Sequence, residues 1–232
     1  MTDDQPATNR LNKYLAFQLG VSRREADLLI DKRVVTINDQ IATLGARFHD
    51  TDTITINGKP VDTHATYQCL QFNKPVGYVC SRRAQGDNPT IYDLLPTQYH
   101  VLKPVGRLDR NSSGLILLSN DGDFAYRMTH PKFLKTKQYI VELDHDLEPL
   151  HQQMISDYGV HLEDGPSKLS LERVNDANRT EWRVVMSEGR NRQIRRTFLS
   201  LGYEVVALHR TNFGNYSLGD MKPGEYRLVD IH

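Results

Sequence analysis

The stretch that most restricts this chain is residues 106–122, G-R-L-D-R-N-S-S-G-L-I-L-L-S-N-D-G. Four apolar residues in a row, 115–118, lie between a polar turn and an Asn-Asp-Gly turn. A short apolar run bounded by turn residues on both sides fits a buried strand. The turn ahead of it sets one carboxylate, Asp109, between Arg107 and Arg110. Opposite charge close by favours the ionised form of a carboxyl group. Such a group suits the work of a nucleophile or base better than that of a proton donor.

Eight runs read as strands: 69–72, 76–81, 115–119, 139–143, 168–174, 181–186, 204–209 and 226–229. Three read as helices: 123–129, 148–157 and 191–201. Strands joined by short turns, with few helices between them, predict an α+β domain around a mostly antiparallel mixed sheet over residues 68–232. Ahead of it, residues 10–58 read as a small α/β unit. Leu11, Leu15 and Leu19 recur at helical period until Gly20. Ser22 and Glu25 have capping-box spacing, so a second helix starts at Ser22 and turns Ala26, Leu29 and Ile30 inward. The β-branched residues 34–37 and the alternating run 53–56 read as strands. Residues 1–9 are expected to be disordered and 59–67 to be a linker.

A composition of 38% hydrophobic and 25% charged residues is that of an ordinary globular protein. No apolar run approaches the roughly 20 residues of a membrane helix, and the polar, acidic start is unlike a secretory signal. A cytoplasmic protein with two free thiols, Cys69 and Cys80, is the expectation. The formal net charge is zero, but the distribution is uneven. Residues 10–33 carry six cations (Arg10, Lys13, Arg23, Arg24, Lys32 and Arg33) against three acids, and residues 188–196 carry four arginines against Glu188. Local patches, not the total, set the field that a phosphate meets. Arg23 and Arg24 stand at a helix start, where backbone N–H groups also attract phosphate.

With its following N-D-G at 120–122, the extended G-R-L-D-x-x-S-x-G-L closely resembles the active-site motif of the RsuA/RluB/RluF family of ribosomal RNA pseudouridine synthases. S-E-G-R-N-R-Q-I-R-R at 187–196 resembles that family's second signature, and K-P-x-G at 74–77 resembles its opening. The wording R-L-N-K-Y-L-A, G-V-S-R-R-E-A-D-L-L-I and V-V-T-I-N in the first quarter resembles the RNA-binding domain first known from ribosomal protein S-four. The resemblance implies a pseudouridine-synthase fold and the isomerisation of a uridine in ribosomal RNA. It makes Asp109 the catalytic carboxylate, acting as nucleophile or as base. It places Tyr139 against the base, Arg195 in a pair with Asp109, and Ile194 near the uracil. Arg107 would enter the RNA stack where the target uridine leaves, since planar cations stack well.

Arg192, Arg195 and Arg196 have the i, i+3, i+4 spacing of one helix face. Arg190, nearer the helix start, is expected at substrate phosphate, and Arg192 is expected to bind substrate; spacing alone does not decide between Arg192 and Arg195 as the partner of Asp109, and the resemblance selects Arg195. Lys74 is a further, weaker candidate for RNA contact, and His130-Pro131 reads as a surface cap. The chemistry transfers no electron, phosphate or hydride, so no cofactor and no metal are expected. The chain has neither a Walker loop nor a metal-ligand cluster. The rival reading is a non-catalytic RNA-binding ribosome-assembly factor on the same fold; a transfer-RNA synthase is a third. The short chain and K-P-V-G-Y-V-C-S resemble the small-subunit enzyme, whereas the opening R-L-N-K-Y and E-G-R-N-R-Q-I-R-R resemble the large-subunit ones; large-subunit RNA is modestly favoured. A monomer, with ribosomal RNA or an assembly intermediate as partner, is expected.

Overall fold

The computed structural model describes residues 8–62, 66–82 and 86–231. They form two compact units, one ending at Tyr67 and the other beginning at Gln68.

In the first unit, helices Leu11–Gln18 and Arg23–Asp31 pack over a four-stranded sheet, ordered Gln40–Ile41, Val35–Ile37, Ile54–Ile56, Lys59–Pro60. Leu11, Leu15, Ala26 and Ile30 are buried in its core with Val35, Phe48 and Ile54. Leu19 lies past the helix end and is 40% exposed, because Gly20, at φ 67°, turns the chain away. The capping box is formed on both sides. Glu25 N–H donates to Ser22 Oγ at 3.2 Å, and Ser22 N–H donates to Glu25 Oε2 at 2.6 Å. Two expectations fail at the edges of this unit. Asn9–Arg10 pairs with Arg47–Phe48, so order begins before residue 10; residues 1–7 lie outside the described ones. Lys59–Pro60 is a strand, not linker, because Asn57 and Gly58, at φ 50° and 74°, make a tight hairpin turn back onto Ile54–Ile56. Residues 63–65 of the expected linker lie outside the described residues.

The second unit is α+β around a mixed sheet of nine strands. Its main path runs Ser170–Asn175, Asn178–Met186, Lys137–Leu143, Val205–Phe213, Ser113–Ser119, Cys69–Lys74, Tyr226–Val229. Every pair on this path is antiparallel except Val205–Phe213 with Ser113–Ser119, which is parallel. Leu115, Ile116, Leu117 and Leu118 are all fully buried because both sheet faces are covered. Leu115 and Leu117 pack with Phe124, Met128 and Phe213 on one face; Ile116 and Leu118 pack with Phe72, Val141 and Trp182 on the other. This is the period-2 alternation of a central strand.

Residues 76–81 are not a strand. Gly77, at φ 100°, breaks the run, and the segment instead wraps the turn at 109–112. The helix expected over 148–157 is α-helical only at Pro149–Gln153 and continues as a π-turn, Met154–Tyr158. That over 191–201 is shorter, Gln193–Leu199. Lys103–Val105, the hairpin Val160–Leu162 with Gly165–Ser167, and Tyr216–Ser217 are strands without a clear sequence signal.

Candidate active site

Asp109 stands on the turn between the strands Lys103–Val105 and Ser113–Ser119. Ser112 N–H donates to Asp109 O at 3.1 Å and closes the turn. Leu108 points into the core, only 7% exposed, and anchors the loop, while Arg107 and Arg110 are exposed and Asp109 is half-buried. The K-P-x-G segment is the cradle below. Lys74 is completely buried, so its ammonium is not exposed for the RNA contact that the sequence suggested. Its ammonium donates to Ser112 O at 2.6 Å, Pro75 O at 3.0 Å and Arg110 O at 3.4 Å. Burial pushes the Lys74 pKa down, and nearby Cys80 and Asp109 oppose that shift. Gly77 N–H donates to Arg110 O at 2.7 Å, and Arg110 Nε returns a bond to Gly77 O at 3.2 Å. A buried cation on backbone carbonyls is expensive to disturb, which holds the turn in one shape.

The signature at 187–196 reaches the same turn, but not as helical spacing predicts. Arg192 is not in the helix. It adopts φ 46° and ψ 32° as the residue before Gln193–Leu199. That left-handed step swings Arg192 Nη1 to 3.4 Å from Asp109 Oδ2. The direct partner of Asp109 is therefore Arg192, and the expected Arg195–Asp109 pair is not formed. Arg195 lies beneath the loop, donating from Nη1 to Val205 O and from Nη2 to Asn111 O, the latter at 2.9 Å. Burial, aided by Arg192, holds its pKa below the usual arginine value, with Asp109 and Glu204 opposing.

Arg190 is not positioned for phosphate either. Its guanidinium clamps the Val160–Ser167 hairpins through Asp164 Oδ1 at 2.8 Å, Gly165 O at 3.0 Å and Pro166 O at 2.8 Å. Arg196 holds Asp164 from the other side at 2.7 Å and lowers that carboxyl's pKa. Buried Gln193 and Thr197 both bond Ser167 Oγ, at 3.1 and 2.8 Å, fixing the helix start to the same hairpin. No spacing in the sequence pointed to this network.

The apolar floor comes from Tyr139, 8% exposed, and Ile194, 5% exposed, which share one buried cluster with Leu108. The pairing of Lys137–Leu143 with Val205–Phe213 shifts register between Gln138 and Tyr139. Such a bulge re-aims a side chain. Arg107 is exposed. In the first unit Arg10, Arg23, Arg24, Lys32 and Arg33 are exposed and Lys13 is half-buried. Among the described residues no group of His, Cys, Asp and Glu could hold a metal ion, and no helix is long and apolar enough to cross a membrane. Cys69 and Cys80 are free; burial pushes both thiols up, Cys69 to about 12 with help from Asp121.

Residues 68–200, from the sheet's Cys69–Lys74 strand through the Arg195 helix, match the family model for RNA pseudouridylate synthase. The chain belongs to that family. It is therefore an isomerase by class, and its fold is that of a solved relative, a pseudouridylate synthase crystal structure. That chain is 32% identical, with a TM-score of 0.68, and the match covers 95% of this chain and 96% of the other. Two curated relatives carry different subunit names. The ribosomal small subunit pseudouridine synthase A of Pasteurella multocida is 38% identical over 95% of both chains. The ribosomal large subunit pseudouridine synthase B of Bacillus subtilis is 32% identical over 96% of this chain and 93% of its own.

Proposed function

We propose that this pseudouridine synthase isomerises a specific uridine in ribosomal RNA, with Asp109 as the catalytic carboxylate. The observation that carries this reading is the position of Asp109. It lies at the mouth of a buried turn, half-exposed, 3.4 Å from Arg192, above a floor that contains Tyr139 and Ile194. The reaction breaks the bond from ribose C1′ to ring N1, rotates the uracil and joins C1′ to C5, whose proton is then lost. Asp109 acts at the sugar, as nucleophile on C1′ or as base on the 2′-carbon. Arg192 keeps it ionised and oriented once bound RNA excludes water, where Coulomb attraction grows. Tyr139 and Ile194 hold the uracil by its face and edge. Arg107 fills the stack that the flipped uridine leaves, recovering part of the few kcal/mol that flipping costs.

The first unit serves as the docking module, of the S-four type, through Arg10, Lys13, Arg23, Arg24, Lys32 and Arg33. Relatives named as pseudouridine synthases of the small and of the large ribosomal subunit support the substrate class; the wording of the opening and of the second signature favours the large subunit. The enzyme works in the cytoplasm as a monomer. The deciding experiment maps pseudouridine in both ribosomal RNAs from cells with and without this gene. One uridine that loses its modification in the deletion, and regains it with wild type but not with Asp109→Asn, carries the proposal. Unchanged maps would return the chain to the role of a non-catalytic assembly factor.

A further inference from the structure

Residues 126–139 contain Arg127, Lys132, Lys135 and Lys137 and no acid. In a chain of zero net charge this is a one-sided segment. It also presents rings to solvent. Tyr126 is 46% exposed, Phe133 36% and Leu134 67%. The rings of Tyr126, His130 and Phe133 form a group of their own. Tyr126 lies 4.7 Å from His130 and 5.6 Å from Phe133 between centroids. Lys132 Nζ sits over two of them, 5.1 Å from the Tyr126 centroid and 4.8 Å from that of Phe133.

Local geometry keeps the group at the surface. His130 Nδ1 accepts from Lys132 N–H at 3.3 Å and caps the short Pro131–Phe133 turn. Leu134 then takes φ 47°, a backbone that leucine seldom adopts, so the chain turns sharply before Lys137–Leu143. Three exposed large apolar side chains are thus grouped within residues 126–134, beside a strained turn and under one lysine.

The surroundings identify a ligand class. At one end, Thr129 lies 3.5 Å from where a Cβ on Gly106 would be, beside Arg107 and the Asp109 turn. On the other side a cleft of about 510 Å³ opens between Pro131, Leu134 and Thr136 and the residues Met186, Ser187 and Glu188. Lys137 ties those two walls through Lys135 O and Glu188 O, at 3.2 and 3.3 Å. Both signatures of the candidate site thus border the same cationic, ring-bearing surface. Sequence-tolerant stacking platforms flanked by cations are what single-stranded nucleic acid requires.

We propose that the Tyr126–His130–Phe133 rings, Lys132 and the adjoining cleft form a subsite for an unpaired nucleotide of the RNA, next to the target uridine. The inference rests on the reading of the chain as an RNA enzyme and adds a base-stacking site to it. A base stacks on the exposed rings, and the ammonium of Lys132 moves from ring face to phosphate. The subsite acts on binding and selects RNA that offers an unpaired neighbour; it takes no part in bond breaking.

The test uses the full chain with a short fluorescein-labelled RNA of mixed sequence, single-stranded or annealed to its complement. A second copy of the strand carries 2-aminopurine, whose emission is quenched on stacking. Tyr126→Ala with Phe133→Ala should weaken single-strand binding roughly ten- to hundredfold, abolish the quench, and leave duplex binding unchanged. Lys132→Gln should flatten the salt dependence of the single strand while keeping the quench. Tyr126→Leu with Phe133→Leu, which keeps apolar bulk, should also lose the quench, so a folding defect in the alanine variant is separable. Wild type that fails to bind the single strand, unchanged affinity in the ring variants, or equal losses on duplex and single strand would each overturn the proposal; unchanged RNA binding would point to a protein partner for these rings. Asp109→Asn is the control for the parent reading. If wild type forms no pseudouridine while the ring variants still lose the quench, the function fails and the subsite stands.

Discussion

At the scale of single residues, the site divides its two arginines between charge and shape. Arg192, exposed with Asp109 at 3.4 Å, makes a surface ion pair of the kind worth about 0–1 kcal/mol to folding. Arg192→Met should therefore leave the urea midpoint nearly unchanged and lower the single-turnover rate at saturating RNA, with Arg192→Lys between them. Arg195 holds Asn111 O and Val205 O, and loss of those charge-assisted bonds costs about 1–3 kcal/mol. Arg195→Met should lower both the urea midpoint and the rate. Should Arg195→Met prove fully stable but inactive while Arg192→Met is normal, the roles would be exchanged. Asp109→Asn should lose pseudouridine formation and keep RNA affinity; a rate within about tenfold of wild type, ~1.4 kcal/mol in barrier, rejects its catalytic role. The place of Asp109, on a charged turn ahead of a buried strand, was legible because turn residues bound the apolar run 115–118. The choice between Arg192 and Arg195 was not, since their spacing suggests one face only if the helix already includes Arg192. The left-handed backbone at Arg192, which no residue type announces, decides it.

At the scale of elements, the parallel pair beside the Asp109 turn is the point of greatest constraint. Gly114 has φ 102°, and a Cβ there would lie 2.2 Å from Arg210 O on the neighbouring strand. This explains why the turn must end in glycine. Gly114→Ala should separate Ser113–Ser119 from Val205–Phe213 and cost several kcal/mol in urea denaturation, at the upper end for single substitutions; a loss below about 1 kcal/mol would mean that the strands can part freely. One step earlier, Ser113 Oγ meets His209 Nδ1 at 2.9 Å. Burial lowers the His209 pKa below 6.5. The unfolded chain therefore takes up this proton first, and stability falls as pH drops from 6.5 through the lowered folded value. In His209→Gln that part of the acid sensitivity should vanish from unfolding midpoints measured across this window; an unaltered pH profile would rule out His209 as its source. The strands that the sequence announced include those with buried faces, such as 115–119 and 139–143. The run 76–81 was misread because Val76, Tyr78 and Val79 look like strand formers. Gly77 and the carbonyls of the 109–112 turn use that segment as a wrap instead, a tertiary demand that local propensity does not carry.

At the scale of the whole molecule, the zero net charge conceals a separation of tasks. The core of the first unit, built on Leu11, Leu15, Ala26 and Ile30, shares no residue with the two clusters that cover the faces of the large sheet. Each unit thus buries its own apolar surface, the physical requirement for folding alone. The excess of cations at 10–33 is legible in the sequence, and five of the six are exposed. Three of the four arginines at 187–196 spend their guanidinium groups on protein, Arg190 and Arg196 on Asp164 and Arg195 on backbone carbonyls, which the sequence did not announce. This shifts the expected source of RNA affinity toward the first unit. Residues 68–232 expressed alone should fold, with a cooperative urea transition and unchanged near-ultraviolet dichroism. Ribosomal RNA binding should weaken, and the slope of log affinity against log salt should shrink by about three to four, if five exposed cations of the first unit each release a counterion as on single strands. Activity at saturating RNA should survive, because Asp109, Tyr139, Arg192 and Arg195 all remain. A truncated chain that folds and keeps the full salt slope would locate phosphate recognition in the second unit, where Arg107, Arg110 and the Arg127–Lys137 cations would have to supply it.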